Sequence, residues 1–431
     1  PEEHHRQGRI DRHVTPENEL NMINRRFALA VVFFTALMDS IGFGIILPVT
    51  PTLLMEVSDE GLSNSAVYGG WLMFSFAIMQ FVSMPVLGNL SDAYGRKPVL
   101  LGSLLVLSIN YLIMGLAQSL VLLFIGRLIS GIGSATFSTC NAYIADTTSV
   151  EERAQFFGLM GAAFGLGFVI GPVLGGFLGE YGSRVPFFAT AGLIFFNLLV
   201  GLIFLPESHT PNNRRPFEIR RANPFSAMKQ MSQFKIAFGI IGVLFLYNMG
   251  HHALPAVWTF WGIEKFDWTP REIGYSLGFI GILMVFSQGY LIRIVIPALG
   301  MRWAGVVGLS FTITAFLGYA MSQTPTMAYM FMIAGALGGL AGPAMSGIAS
   351  SQVGPDQQGE LQGAIGSVGS LTNIISPLLM TMVFGIYTGP DAPFYFPGAP
   401  FILAAILTMM SLALFFRITI GFAQKEAAAQ A

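Results

Sequence analysis

The sequence predicts an all-α polytopic membrane protein, with twelve transmembrane helices arranged as two pseudo-symmetric six-helix bundles. Three observations predict it. Of the 431 residues, 53% are apolar and only 10% are charged, against about 25% charged in an average soluble protein. The apolar residues form long continuous runs, whereas a transmembrane β-barrel would alternate apolar and polar residues in short strands. The 50 glycines and 38 phenylalanines fit a helical bundle in which small residues let helices approach closely.

The elements follow in order from the need for about 20 apolar residues per crossing. Residues 1–26 are polar, lack the apolar core of a secretory signal, and read as a flexible cytoplasmic tail. Span one (27–55) carries a lone carboxylate, Asp39, in its apolar run. Span two (66–90) ends in a charged turn, and span three (98–117) starts just after Arg96 and Lys97. Span four (119–146) contains Arg127, span five (154–179) is glycine-rich, and span six (185–206) closes the first bundle. Residues 207–233 are basic and rich in Pro and Asn, and read as a cytoplasmic linker. The second bundle, 234–420, holds spans at 234–263, 272–297, 302–322, 325–350, 360–387 and 399–420, followed by a cytoplasmic tail, 421–431. Spans longer than the hydrocarbon requires imply tilt or projection beyond the lipid.

Lys and Arg orient the chain. With the N-terminus inside, 18 of the 22 basic residues fall on cytoplasmic segments, as the positive-inside rule requires. Both termini are then cytoplasmic, and the expected location is the inner (plasma) membrane. The basic residues sit at membrane edges, so no nucleic-acid patch exists. The single cysteine, Cys140, permits neither an intramolecular disulfide nor a cysteine metal cluster, and reads as a packing residue. No metal or organic cofactor is expected, and no nucleophile–base pair points to an enzyme.

The two halves repeat. An offset of 205 places Gly158 on Gly363, Gly161 on Gly366, Pro172 on Pro377 and Gly95 on Gly300. Near that register Pro48 meets Pro255. Parallel six-span repeats are a transporter plan, with the substrate bound between the halves near the midplane. The charges do not repeat: Asp39 meets Leu244, Asp92 meets Pro297 and Arg127 meets Met332.

A carboxylate at membrane depth is costly, on the order of 3 kcal/mol by insertion scales, and marks function by default. Asp39 and Arg127 belong to the same half. Either they form a structural ion pair, or Asp39 exchanges protons as access switches sides. For Arg127 the alternatives are a partner inside the bundle and snorkelling to the outer headgroups.

Several motifs stand together. The loop "GNLSDAYGRK" (88–97) holds Gly88, Asp92, Gly95 and Arg96; span four reads "GRLISGIGSATFSTCNAYIAD"; span five reads "GAAFGLGFVIGPVLGGFLGE". In span five Gly167, Gly171, Gly175 and Gly179 recur every four residues, forming a groove for a neighbouring backbone, and Pro172 should kink the helix. These motifs resemble those of the major facilitator superfamily. With "LMDSIGFGIILPVTPTLL" in span one, the similarity is to its twelve-span drug/proton antiporters, and within them to the tetracycline/proton antiporters, over about residues 27–420.

The resemblance implies a cytoplasmic latch: Asp92 capping a helix N-terminus in the other half, and Arg96 paired with Asp146. It implies a coupling role for Asp39, and an antiporter motif at Gly167, Gly171, Pro172 and Gly175. The chain departs from tetracycline exporters at Asn110, Met284 and Thr312, where that family carries titratable side chains, and adds His251 and His252. Those departures argue against a metal–tetracycline chelate as substrate. The polar groups available to a cavity are Gln80, Asn110, Asn141, Asn248, His251, His252, Gln288 and Asn373, with aromatic lining from Tyr247, Trp258 and Trp261. Such a cavity suits a lipophilic, drug-sized molecule. The expected function is its proton-coupled efflux by a membrane-embedded monomer, powered by the proton gradient. An importer of nutrients or metabolites, or a receptor or scaffold that has lost transport, remain the alternatives.

Overall fold

A computed structural model describes residues 16–134, 136–209, 214–215, 234–354 and 357–430. Most of the expected N-terminal tail and of the 207–233 linker lies outside the described residues. Among those described there are helices and connections but no strand. The first helix begins at Pro16, inside the stretch read as tail, and the last runs to Gln430, through the stretch read as a C-terminal tail.

Eleven helices are long and apolar enough to cross a membrane. One of them, Pro270–Met321, is 52 residues long, about 78 Å at helical rise and far more than one crossing needs. It turns back at Gly300, where φ is 74°. That reversal makes it spans eight and nine and restores the count of twelve. Gly95, its counterpart at the offset of 205, has φ 110° and joins spans two and three. Both positions demand a left-handed backbone that glycine adopts without steric cost, so the repeat read from the sequence has a conformational basis.

The first helix of every three is broken. Span one divides into Pro16–Ile45 and Thr50–Ser58 around a short Leu47–Val49 turn containing Pro48. Span four divides into Leu120–Gly133 and Thr136–Thr147, span seven into Lys235–His251 and Ala253–Phe266, and span ten into Pro325–Gly338 and Ala341–Ser350. Gly, Pro and His supply the local cause: "GIILPVTP", "HHALP" and "GGLAGP" each interrupt backbone bonding. Such breaks are tolerated at membrane depth only inside protein or beside a cavity.

Span five, Val150–Gly179, is the axis of the first half. It packs against span one on one side and span eight on the other. Span two, Leu62–Tyr94, packs in the same way against span eleven, Gln358–Thr388. The second half has a dense aromatic core: Trp258 and Trp261 lie 5.0 Å apart, with Trp268, Tyr319 and Phe401 around them.

Candidate functional site

The glycine groove of span five holds span one. A Cβ on Gly171 would lie 2.7 Å from the Ile41 carbonyl oxygen and 2.8 Å from the Gly44 Cα. Gly167 and Gly175 press equally on Ser40 and Ile45. No side chain larger than hydrogen fits, so these glycines fix the helix that carries Asp39. The other face of span five meets the second half: Gly176 lies against Gly274, Val173 against Gly278 and Val169 against Gly281. Beyond it, Glu180 is bonded to Arg271, whose guanidinium also lies 5.9 Å from the Phe177 ring centre. Span two repeats the closure with span eleven, where Thr381 fills the space over Gly70 and the Ser63 and Thr388 hydroxyls lie 2.9 Å apart.

These crossings all sit toward the end of the molecule opposite Arg25, Arg96, Lys97 and Arg153. At the basic end, Gly88, Gly158, Gly161, Gly366 and Gly369 face open space. The halves are thus closed over one another at one end and parted at the basic end. The cleft on the first-half side is an open crevice of about 370 Å³ between spans four and five, lined by Phe137, Asn141, Phe157, Met160 and Gly161.

Asp39 and Arg127 form no ion pair with each other among the described residues. Asp39 is half-buried, and Arg127 is buried with no hydrogen-bond partner at its Nε among the described residues. Tyr111, buried in span three, stands in the electrostatic field of both. The sequence reading passed over Tyr111, although it directly follows Asn110 in "LSINYL". Asn110 itself lines no cavity: it is fully buried between spans three and four and donates from Nδ2 to the Ser130 hydroxyl at 2.5 Å.

The aromatic lining also differs from expectation. Trp258 is sealed in the second-half core, where its Nε1 donates to Ser276 at 2.9 Å, and Trp261 is equally buried. Tyr247 is buried and stacks on His251 at 5.3 Å. Amphipathic residue type alone could not separate a core aromatic from a cavity aromatic. Gln80 backs onto Gly131 of span four. Asn248 accepts the His252 backbone N–H through its own carbonyl, at 3.0 Å, across the span-seven break. Gln80, Asn248, His252 and Asn373 are each partly exposed.

His251 and Gln288 do come together. With Met284, Ser287, Thr312 and Tyr319 they line a partly open cavity of about 80 Å³ between spans seven to ten. Ser287 and Gln288 open a π-helical turn, Ser287–Leu291, inside span eight. Such turns cluster at functional sites, and nothing in the residue pattern announced this one.

At the basic end one of the two expected contacts is made. Arg96 donates from Nε to Asp146 at 2.9 Å and is bonded to Ser91 and Asp92. Asp92 therefore pairs within its own loop rather than reaching a helix of the second half. Glu207, absent from the sequence reading, caps span three instead: it accepts from the backbone N–H groups of Arg96 (2.9 Å) and Lys97 (3.2 Å). A carboxylate at a helix N-terminus is favoured by the helix dipole.

Two six-helix halves, helices broken at mid-depth and a cleft parted at one end define a multi-pass membrane protein with the architecture of a transporter. The chain belongs to the Major Facilitator Superfamily, whose family model matches residues 32–377, and it is not an enzyme. It is 38% identical over 357 residues to the tetracycline resistance protein, class C, of Escherichia coli, covering 83% of this chain and 89% of that one. It is 32% identical to the class H protein of Pasteurella multocida, covering 93% and 97%, and 29% identical to multidrug resistance protein 2 of Bacillus subtilis, covering 86% and 91%. Among solved structures it resembles the human organic anion transporter MFSD10 (24% identity, TM-score 0.67, covering 91% of this chain and 99% of that one). It also resembles a bacterial homologue of the human lysosomal transporter Spinster in an inward-facing, unoccupied conformation (14% identity, TM-score 0.76, covering 93% and 98%).

Proposed function

We propose that the protein is a proton-coupled exporter of lipophilic, drug-sized molecules in the inner membrane, with both termini cytoplasmic. The basic end then faces the cytoplasm, and the arrangement described is the inward-open one. The single observation that carries the reading is Asp39: a carboxylate at membrane depth, held by the span-one/span-five glycine seam, without an ion-pair partner among the described residues. A carboxylate neutralised by a fixed Arg would stay ionised, whereas an unpaired one can load and release a proton as access alternates. Arg127 and Tyr111 supply a polar surround without locking the charge. The substrate enters the parted cleft; rocking of the halves breaks the Glu180–Arg271 pair and brings the Asp92 loop to the second half as a latch. The proton gradient supplies the energy, and no bound cofactor takes part.

Tetracycline and ethidium are the first substrates to test, since resistance proteins are among the relatives. Everted vesicles given an inward-acid gradient should accumulate them with the native protein and not with Asp39→Asn, expressed at equal level. Gradient-driven accumulation by the Asn variant would remove Asp39 from the coupling role. Accumulation only in right-side-out vesicles would make the protein an importer.

A further inference from the structure

The partly open cavity between spans seven to ten has walls from the second half alone and an unusual polar set. In the second half a buried threonine hydroxyl is ordinarily spent on the carbonyl four residues earlier: Thr312 on Gly308 at 2.9 Å, Thr381 on Pro377 at 2.9 Å, Thr408 on Ala404 at 2.8 Å. Ser287 is not. Its side chain is 1% exposed and lines the cavity, and its Oγ has no partner among the described residues. The π-turn breaks the local helical pattern at this hydroxyl. Gln288, in the same turn, and His251, across the cavity, also have no hydrogen-bond partner among the described residues. Tyr319 gives its hydroxyl to the Phe331 carbonyl at 3.3 Å. The remaining wall is apolar: Leu254, Ile280, Leu283, Met284, Phe316 and Met332.

Charge is missing from these walls. From Ile273 to Pro355 the sequence contains neither Asp nor Glu, and no carboxylate lines the cavity. No Lys or Arg lines the cavity either. An ion seated there would lie against a mostly apolar wall with no counter-charge to offset the hydration it gives up. A neutral group with both a donor and an acceptor would pair with the buried Ser287 hydroxyl and reach the exposed Gln288 amide beside it.

We infer that this cavity is a subsite for an uncharged ring bearing a carboxamide-like group, held by Ser287, Gln288 and His251. It rests on the export reading for its role, since it would seat one neutral portion of a drug-sized substrate, but its binding chemistry is testable apart from transport. The test uses three ring compounds of nearly one shape: benzamide (neutral), benzoate (anion) and benzamidine (cation). Binding to the purified full-length protein in detergent is followed by saturation-transfer NMR.

Benzamide should bind most tightly. Gln288→Leu should weaken it about tenfold, the worth of one lost hydrogen bond, and Ser287→Ala by a lesser factor. Gln288→Glu, close to isosteric, should lose benzamide and gain benzamidine, which keeps the test decisive if the Leu variant fails to fold. Asp39→Asn should bind benzamide as the native protein does, so loss of export and loss of this subsite are read separately. Benzamide affinity unchanged in all the Ser287 and Gln288 variants would overturn the assignment. So would benzamidine or benzoate binding as tightly as benzamide to the native cavity.

Discussion

Spans one and five of the first half and spans seven and eleven of the second are the same pair of helices, repeated. The offset of 205 takes Gly44 to Met249 and Gly171 to Ser376. In the first half the two positions touch backbone to backbone, with Gly171 over Gly44. In the second, the Ser376 hydroxyl donates to the Met249 carbonyl at 2.6 Å. One contact is made by removing side chains and the other by adding a hydrogen bond. The first half draws its helices together around an ionisable group; the second spaces them around neutral polar groups. Under the proposed function the halves divide the labour: Asp39 on one side handles the proton, and the uncharged cavity on the other handles ligand.

Exchanging the two solutions should expose the difference. Gly171→Ser places a Cβ against the Ile41 carbonyl and should have the largest effect on folding, an overpacking cost of about 1–3 kcal/mol. It should appear as a lowered melting temperature and reduced yield of dispersed protein in detergent. Ser376→Ala should cost less, about 1 kcal/mol, because it leaves one acceptor unpaired and collides with nothing. If the two melt alike, the seams are not different in kind.

Glycine is indispensable only where it is crowded. Gly161→Ala, at a position facing the open cleft, should leave melting temperature unchanged. It should slow transport if the cleft closes there, which vesicle uptake rates would show. The smallest effect belongs to the surface pair Arg25–Glu152. Glu152 lies in the first turn of Val150–Gly179, before its apolar stretch begins at Gln155, and the hydrogen bond from Arg25 holds its carboxyl below the usual 4.5. A depressed carboxyl contributes stability that is present above its unfolded value and lost as pH falls through the folded one. Arg25→Gln should therefore lower the melting temperature slightly at pH 7, and the difference should vanish at strongly acid pH.

Most of the architecture was legible in the sequence because membrane crossing imposes length and apolarity on every helix. The repeat was legible because two left-handed turns, Gly95 and Gly300, admit little but glycine. The Arg96–Asp146 contact was legible as a motif. The rest was set by packing that pattern does not encode. Trp258 and Asn110 have the residue types of a cavity wall, yet neighbours bury them. The breaks in spans one, four, seven and ten left Gly and Pro marks that read equally well as ordinary membrane kinks. The π-turn at Ser287 left no mark, because a single extra residue in a helix changes direction without changing composition. Glu207 sat in an exposed polar stretch where capping partners cannot be told from solvated charges.

Proton movement itself tests the division of labour most directly. Proteoliposomes loaded with a pH-sensitive dye and given tetracycline or ethidium should show substrate-triggered proton flux with the native protein. Gln288→Leu should keep that flux but need a higher substrate concentration, and Asp39→Asn should bind substrate with no flux at all. Undiminished flux from Asp39→Asn would contradict the account.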